Sequence, residues 1–188
     1  MGGGGAVGKK GGLTMKLLGM VSALLVMSLA GCAWLEEGKF ASAKLESKSG
    51  SKVWGSVSFR ELGSKVEVRA DVRGLPPGGQ FGFHVHEKGD CSAPDAMSAG
   101  GHFNPGGKPH AHPDKTPERH AGDMSNLRSD GEGNAVYSFE TTLLTVNPGP
   151  TSVVGRAVVV HANPDDYTSQ PAGNAGPRIA CGLIRLRD

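Results

Sequence analysis

Seven histidines stand in the chain, all between residues 84 and 161, and their spacing is the first feature with chemical meaning. His84 and His86 flank Val85 in GFHVHEKGDC. If this segment is a strand, alternation turns both imidazoles to one face, where they can share one ion. An HxH pair alone is weak ground for a metal site, because a strand can carry imidazoles that bind nothing. The second group is denser. GGHFNPGGKPHAHPDKTPERHAGD places His102, His110, His120 and Asp123 within 22 residues, and three imidazoles with one carboxylate are a donor set that a closed tetrahedral zinc site accepts. The alternative is a solvated loop whose histidines do nothing, which sits poorly with nearly all the histidines gathering in one region.

The elements that must position these groups read as strands. KVWGSVSFREL, SKVEVRADVRGL, QFGFHVHE, GNAVYSFETTL, SVVGRAVVVHA and RIACGLIRL carry alternating or short continuous apolar runs between Gly, Pro, Asn and Asp. FASAKLES is a weaker candidate before them. No segment has the periodicity of a long helix. With 30 glycines, 12 prolines and only 5% aromatic residues, an all-β antiparallel sandwich or closed barrel is the natural arrangement. Residues 88–130 and 162–177 interrupt the rhythm and are rich in Gly, Pro, His and Asp. Loops of that length are either functional or disordered. Five of the seven histidines lie in them or at their edges, which favours function.

The formal charge of +2 is a leader effect. Lys9, Lys10 and Lys16 lie in the first 31 residues, which hold no acid, and the remainder carries 17 Lys and Arg against 18 Asp and Glu. A body so close to neutral speaks against a nucleic-acid surface. In LTMKLLGMVSALLVMSLAGC, a lysine precedes an apolar run over residues 17–30 that is short for a bilayer span and reads as the core of an export signal. MGGGGAVGKKGGLT before it carries no pattern, so Met1 and Met15 are both open as the start. LAGC resembles a bacterial lipobox, in which Cys32 becomes the lipidated first residue of the mature protein; a plain signal peptide cut near Ala30 stays open. The expected division is a leader over residues 1–31, a linker over 32–39 and one domain over 40–188. Lipidation of Cys32 would leave Cys91 and Cys181, which an oxidising compartment lets pair; two unpaired thiols are the other possibility. A disulfide closing a loop of about 90 residues contributes about 4–5 kcal/mol in the chain-entropy model.

GFHVHEKGDC, SAGGHFNP, ERHAGD, VVVHA and GNAGPRIACG stand in the order and roughly the spacing of copper/zinc superoxide dismutases. The chain is similar to that family over about residues 40–187, and Cys91 soon after HVHEKG resembles its exported bacterial branch. The resemblance implies a Greek-key β-barrel of about eight strands with two long functional loops. It makes His84, His86, His102 and His161 copper ligands, and His102, His110, His120 and Asp123 zinc ligands, with His102 bridging the two metals. It gives Asp165 the role of an outer carboxylate that orients one ligand histidine of each metal, although a loop Asp also suits a turn cap. It makes Arg178 the cation that attracts and positions superoxide, and His102 the residue that takes and returns a proton. It further implies dismutation of superoxide to dioxygen and hydrogen peroxide, with copper cycling between its two oxidation states beside a redox-silent zinc. The expected localisation is periplasmic, with the membrane reached only through lipidated Cys32, and a homodimer stays open.

Two departures from the family pattern bear on the site. Residues 162–177 form a shorter loop than in cytosolic eukaryotic members and contain no Lys or Glu, so attraction of the substrate rests mainly on Arg178, with Lys88 and Lys108 as candidate helpers. HAH offers both His110 and His112; His110 stands eight residues after His102, at the family's position.

Overall fold

The computed structural model describes residues 1–2 and 38–187, so the expected leader beyond Gly2, with Cys32 and the LAGC motif, lies outside the described residues. Period-two patterning produces the long strands β1 (Phe40–Ser47), β2 (Trp54–Leu62) and β3 (Lys65–Arg73). In β3, Val66, Val68, Ala70 and Val72 turn inward, while Lys65, Arg69 and Arg73 stay in water. β4 (Gln80–Phe81) and β5 (Phe83–His86) follow, then β6 (Leu127–Arg128), β7 (Ala135–Thr141), β8 (Ala157–His161), β9 (Arg178–Leu183) and β10 (Arg185–Arg187). The one helical turn among the described residues is a 3-10 segment at Met97–Ala99.

The main sheet runs β5-β8-β9-β1-β2-β3-β7, with antiparallel pairing and β10 beside β1. Connections from β3 to β5, β5 to β7 and β7 to β8 cross between the sheet's two ends, which is the Greek-key pattern. The two ends also meet. β4 pairs with β6, and Phe83 of β5 packs edge-on against Tyr137 of β7 at 5.3 Å, so the sheet curls around one interior. Phe59, Phe83, Leu45, Met124, Leu127 and Ile184 are fully buried in or around it, each contributing about 1.5–3 kcal/mol of apolar burial.

β8, like β5, is buried at every position, with both of its faces covered. Val158 and Val160 face the main core, whereas Ala157 and Val159 join Ala96, Ala99, Cys181 and Cys91 in a second cluster outside the sheet. That coverage explains its unbroken apolar sequence. It also seats residues 88–100 against β8 and β9, beside the ends that carry His161 and Arg178.

Several predicted segments are shorter or broken. Gly82 divides QFGFHVHE between β4 and β5; an added Cβ there would lie 2.8 Å from Ala175 Cβ and 3.4 Å from His161 Cβ. Ser152–Arg156 of SVVGRAVVVHA is a turn, closed by the Arg156 N–H on the Val153 carbonyl at 3.0 Å. RIACGLIRL breaks at buried Ile184, after which the chain pairs with β1 instead of β8. FASAKLES, the weak candidate, is a full strand in the middle of the sheet.

Candidate metal centre

The loop from residue 88 to 126 is stitched to β5 by main-chain hydrogen bonds. The Val85 N–H donates to Gly122 O at 3.0 Å, Phe103 N–H to Val85 O at 2.8 Å, and Glu87 N–H to Gly101 O at 2.9 Å. These bonds place His102 opposite His86 and Asp123 opposite His84. Gly122 is required for the approach: a Cβ there would sit 2.2 Å from the Val85 carbonyl oxygen. Imidazoles that are 16 or more residues apart in sequence therefore converge with the two on the strand.

The first cluster is His84, His86, His102 and His161, whose candidate donor atoms lie within 4.8 Å of one another. Each ring's free nitrogen is fixed by what the other nitrogen touches. The His86 Nδ1–H donates to Gly100 O at 3.0 Å and the His161 Nδ1–H to Gly176 O at 3.1 Å. A carbonyl can only accept, so both Nε2 atoms present lone pairs, and they face each other at 3.3 Å. The His84 Nε2–H donates to Asp165 Oδ2 at 2.8 Å, leaving its buried Nδ1 unpartnered. His102 Nε2 is likewise buried and unpartnered, and its ring lies 4.0 Å from that of His84. Converging lone pairs in a dry pocket are unfavourable alone and fit a cation.

The second cluster is His102, His110, His120 and Asp123, again within 4.8 Å. Nδ1 of His102 and Nδ1 of His110 each lie 2.9 Å from Asp123 Oδ1, and His120 Nδ1 lies 3.3 Å away. His120 Nδ1 and His102 Nδ1 are 3.5 Å apart. A tetrahedral ion with bonds of about 2.0–2.1 Å places its donors about 3.3–3.4 Å from one another, so small shifts would admit one.

Asp165 links the clusters: Oδ2 takes His84, Oδ1 takes the Nε2–H of His110 at 2.9 Å. Oδ1 also accepts the Tyr167 N–H at 2.6 Å, so the carboxylate is a turn cap and a histidine partner at once. Gly173, at φ 66°, leaves room for it; a Cβ there would fall 1.8 Å from Asp165 Oδ1. Two polar residues that belong to none of the motifs hold this arrangement. The Asn126 side chain exchanges hydrogen bonds with the Asp165 main chain at 2.9 and 3.0 Å. The Gln170 side chain does the same with His110, at 2.9 and 2.7 Å. His112 takes no place in either cluster; its ring packs against Tyr167 at 4.2 Å with the planes tilted by 56°.

The clusters differ electrostatically. Burial holds His84 and His86 well below the usual imidazole value and brings His161 down to about 4. Burial also lowers His102, against the pull of Asp123. For His110 burial is outweighed by hydrogen bonds and charge from Asp123 and Asp165, and the pKa rises to about 9. Both carboxylates are held below their ordinary range despite burial, Asp123 by His102, His110 and His120, and Asp165 by His110 and His84.

Arg178 opens β9. Its Nη1 donates to Ala96 O at 2.8 Å and its Nη2 to Gly100 O at 2.7 Å, the same carbonyl that orients His86. Cys91 and Cys181 form a disulfide with Cα atoms 5.8 Å apart, tying residues 88–100 to the strand that carries Arg178. A cavity of about 610 Å³ bordered by Arg178 reaches His161, so the first cluster is accessible from solvent. Neither Lys88 nor Lys108 lines it, and Lys108 pairs with Glu118.

Buried, unprotonated ring nitrogens on one side and a His3Asp set on the other suit copper and zinc respectively. The model of the copper/zinc superoxide dismutase family matches residues 53–184. A curated relative from Aquifex aeolicus (strain VF5), superoxide dismutase [Cu-Zn] 2, is 43% identical over 150 residues, covering 77% of this chain and 86% of the relative. Superoxide dismutase [Cu-Zn] 2 of Brassica juncea is 43% identical over 152 residues, covering 77% and 96%. Among solved structures, the crystal structure of the clock protein EA4 superposes with a TM-score of 0.72 at 37% identity, covering 80% of this chain and 96% of that one. Fold, paired clusters and sequence therefore agree, and the chain belongs to the copper/zinc superoxide dismutase family.

Proposed function

We propose that the chain is a superoxide dismutase, converting two superoxide anions and two protons into dioxygen and hydrogen peroxide. His84, His86, His102 and His161 would hold copper, and His102, His110, His120 and Asp123 would hold zinc. The observation that carries this reading is one imidazole shared by two four-residue clusters, with His102 Nδ1 on the Asp123 side and buried Nε2 free on the other. Copper, when bound, supplies the one-electron couple that zinc lacks. The protein contributes three things around it. Burial keeps His84, His86 and His161 neutral, so their donor atoms stay available at physiological pH. Arg178 presents a permanent cation beside His161, fixed by two carbonyls, where a small anion can rest. His102 Nε2 is the atom at which a proton can be held between the two half-reactions.

A metal-buffering protein of the same fold would fill the same sites without turnover. Measuring copper and zinc content together with superoxide consumption on the purified protein separates the two: one of each ion per chain with fast consumption supports the enzyme, and full metal content with no consumption sinks it.

We further propose that the chain belongs to an exported bacterial branch, with the leader over residues 1–31 removed and Cys32 lipidated, leaving residues 40–188 as a periplasmic domain on a membrane anchor. The LAGC motif motivates this reading, and the Cys91–Cys181 disulfide favours an oxidising compartment. Cys32→Ser should move the protein from the membrane fraction to the soluble one; unchanged fractionation would refute the anchor.

A further inference from the structure

The cavity that leads to His161 carries two full charges among its lining residues, Arg178 and Asp95, with His161 itself neutral. Asp95 is exposed and its carboxylate is fixed, because Oδ1 accepts the Met97 N–H at 2.9 Å. The next residue, Ala96, adopts left-handed backbone with φ 58° and turns its carbonyl onto Arg178 Nη1 at 2.8 Å. The acid and the cation therefore border one opening through adjacent residues. The Asp95 charge also supports the guanidinium of Arg178 against the burial that lowers its pKa. Residues 169–172 and 174–177, which also line the cavity, add no charged side chain.

From this placement, and resting on the dismutase reading, we propose that Asp95 is a specificity-determining residue that offsets the field of Arg178 and restrains the capture of anions by this cavity. An approaching superoxide meets a compensated pair at the mouth instead of a net cation. The opposing charge is distinct from the copper chemistry and acts only on the approach of a charged ligand. A neutral molecule such as hydrogen peroxide passes without this penalty, so product release is unaffected.

Asp95→Asn keeps the oxygen that accepts from Met97 and removes the charge. On the copper- and zinc-loaded protein, kcat/KM for superoxide should rise about two- to threefold at ionic strength of about 10 mM and converge on wild type at about 0.5 M, where charges more than a few Å apart are screened. Asp95→Glu should retain wild-type values at both salts. Azide affinity, followed by the copper absorption band, should tighten by a similar factor at low salt; this readout does not depend on turnover. Rate and azide affinity unchanged at low salt would overturn the proposal, as would an increase that persists at high salt and so reflects shape. If wild type binds azide but consumes no superoxide, the dismutase reading fails while the azide series still decides the role of Asp95.

Discussion

The two metal clusters meet at His102 and are built in opposite ways. Three of the four imidazoles on the side proposed for copper, His84, His86 and His161, stand on β5 and β8 of the sheet. All four residues on the side proposed for zinc come from one loop, stitched to β5 but carrying no long element of its own. The copper side gathers neutral rings whose lone pairs converge; the zinc side gathers a carboxylate and a proton, held chiefly on His110. A strand pair can preset ligands for an ion that must change oxidation state within one geometry. A loop needs its ion, its carboxylate and its clips to hold the same order, which assigns zinc an organising task.

Removing the shared residue should abolish the distinction. His102→Ala is expected to lose zinc retention and to lower dismutase activity by about 100-fold or more, since even the partners of ligands carry 10–100-fold; a variant with full activity and both metals would break the assignment. Asp165→Asn comes next, because this carboxylate touches one histidine of each cluster. Affinity for both metals should fall about 10–100-fold, and loss of one metal alone would show that the clusters are oriented independently.

Protons sharpen the contrast. In the metal-free protein His110 stays charged up to a pKa of about 9, so zinc must displace that proton at pH 7. Zinc affinity should rise about tenfold per pH unit from 7 toward 9, whereas copper affinity stays flat, because its own rings are already neutral. Calorimetry on the metal-free protein, with each ion added alone in buffers of different protonation enthalpy, would read one proton released for zinc and none for copper; whichever ion is added second also displaces the remaining ring proton of His102. Stability of the metal-free fold follows the same logic. His161 has a folded pKa of about 4 against an unfolded value of about 6.5. Its effect is absent above that unfolded value, and stability is lost as pH falls from there toward the folded one, because the unfolded chain takes up the proton first.

Cys181→Ser should act on one side only. It frees residues 88–100, which supply both acceptors of Arg178 and the carbonyl that orients His86. Activity is expected to drop several-fold and stability by about 4–5 kcal/mol, with zinc content unchanged; equal loss of both metals would argue against a local role. The smallest effect belongs to His112→Ala. This ring packs against Tyr167 outside both clusters, so metal content should not change and activity should stay within about twofold of wild type.

Much of this is legible in local sequence pattern. Alternation read the strands, and histidine spacing separated a strand pair from a loop group, because both signals depend on near neighbours. What stayed hidden depends on distant contacts. β1 looked weak because its alanines and serines carry little strand propensity, yet β2 and β9 flank it. The choice between His110 and His112 turns on Gln170, 60 residues away, which clips the His110 backbone. Asn126 and Asp95 belong to no recurring motif, and only the fold brings them to Asp165 and Arg178. Lys88 and Lys108, candidate helpers of Arg178 in the sequence, do not border the cavity.

The shared imidazole is tested most directly by the electron paramagnetic resonance spectrum of Cu(II) in this protein, recorded with zinc present and after selective zinc removal at constant pH. A copper ion joined to zinc through His102 predicts a clear change in g values and hyperfine splitting when zinc leaves, reversed on zinc return. Identical spectra with and without zinc would contradict a ligand common to both sites.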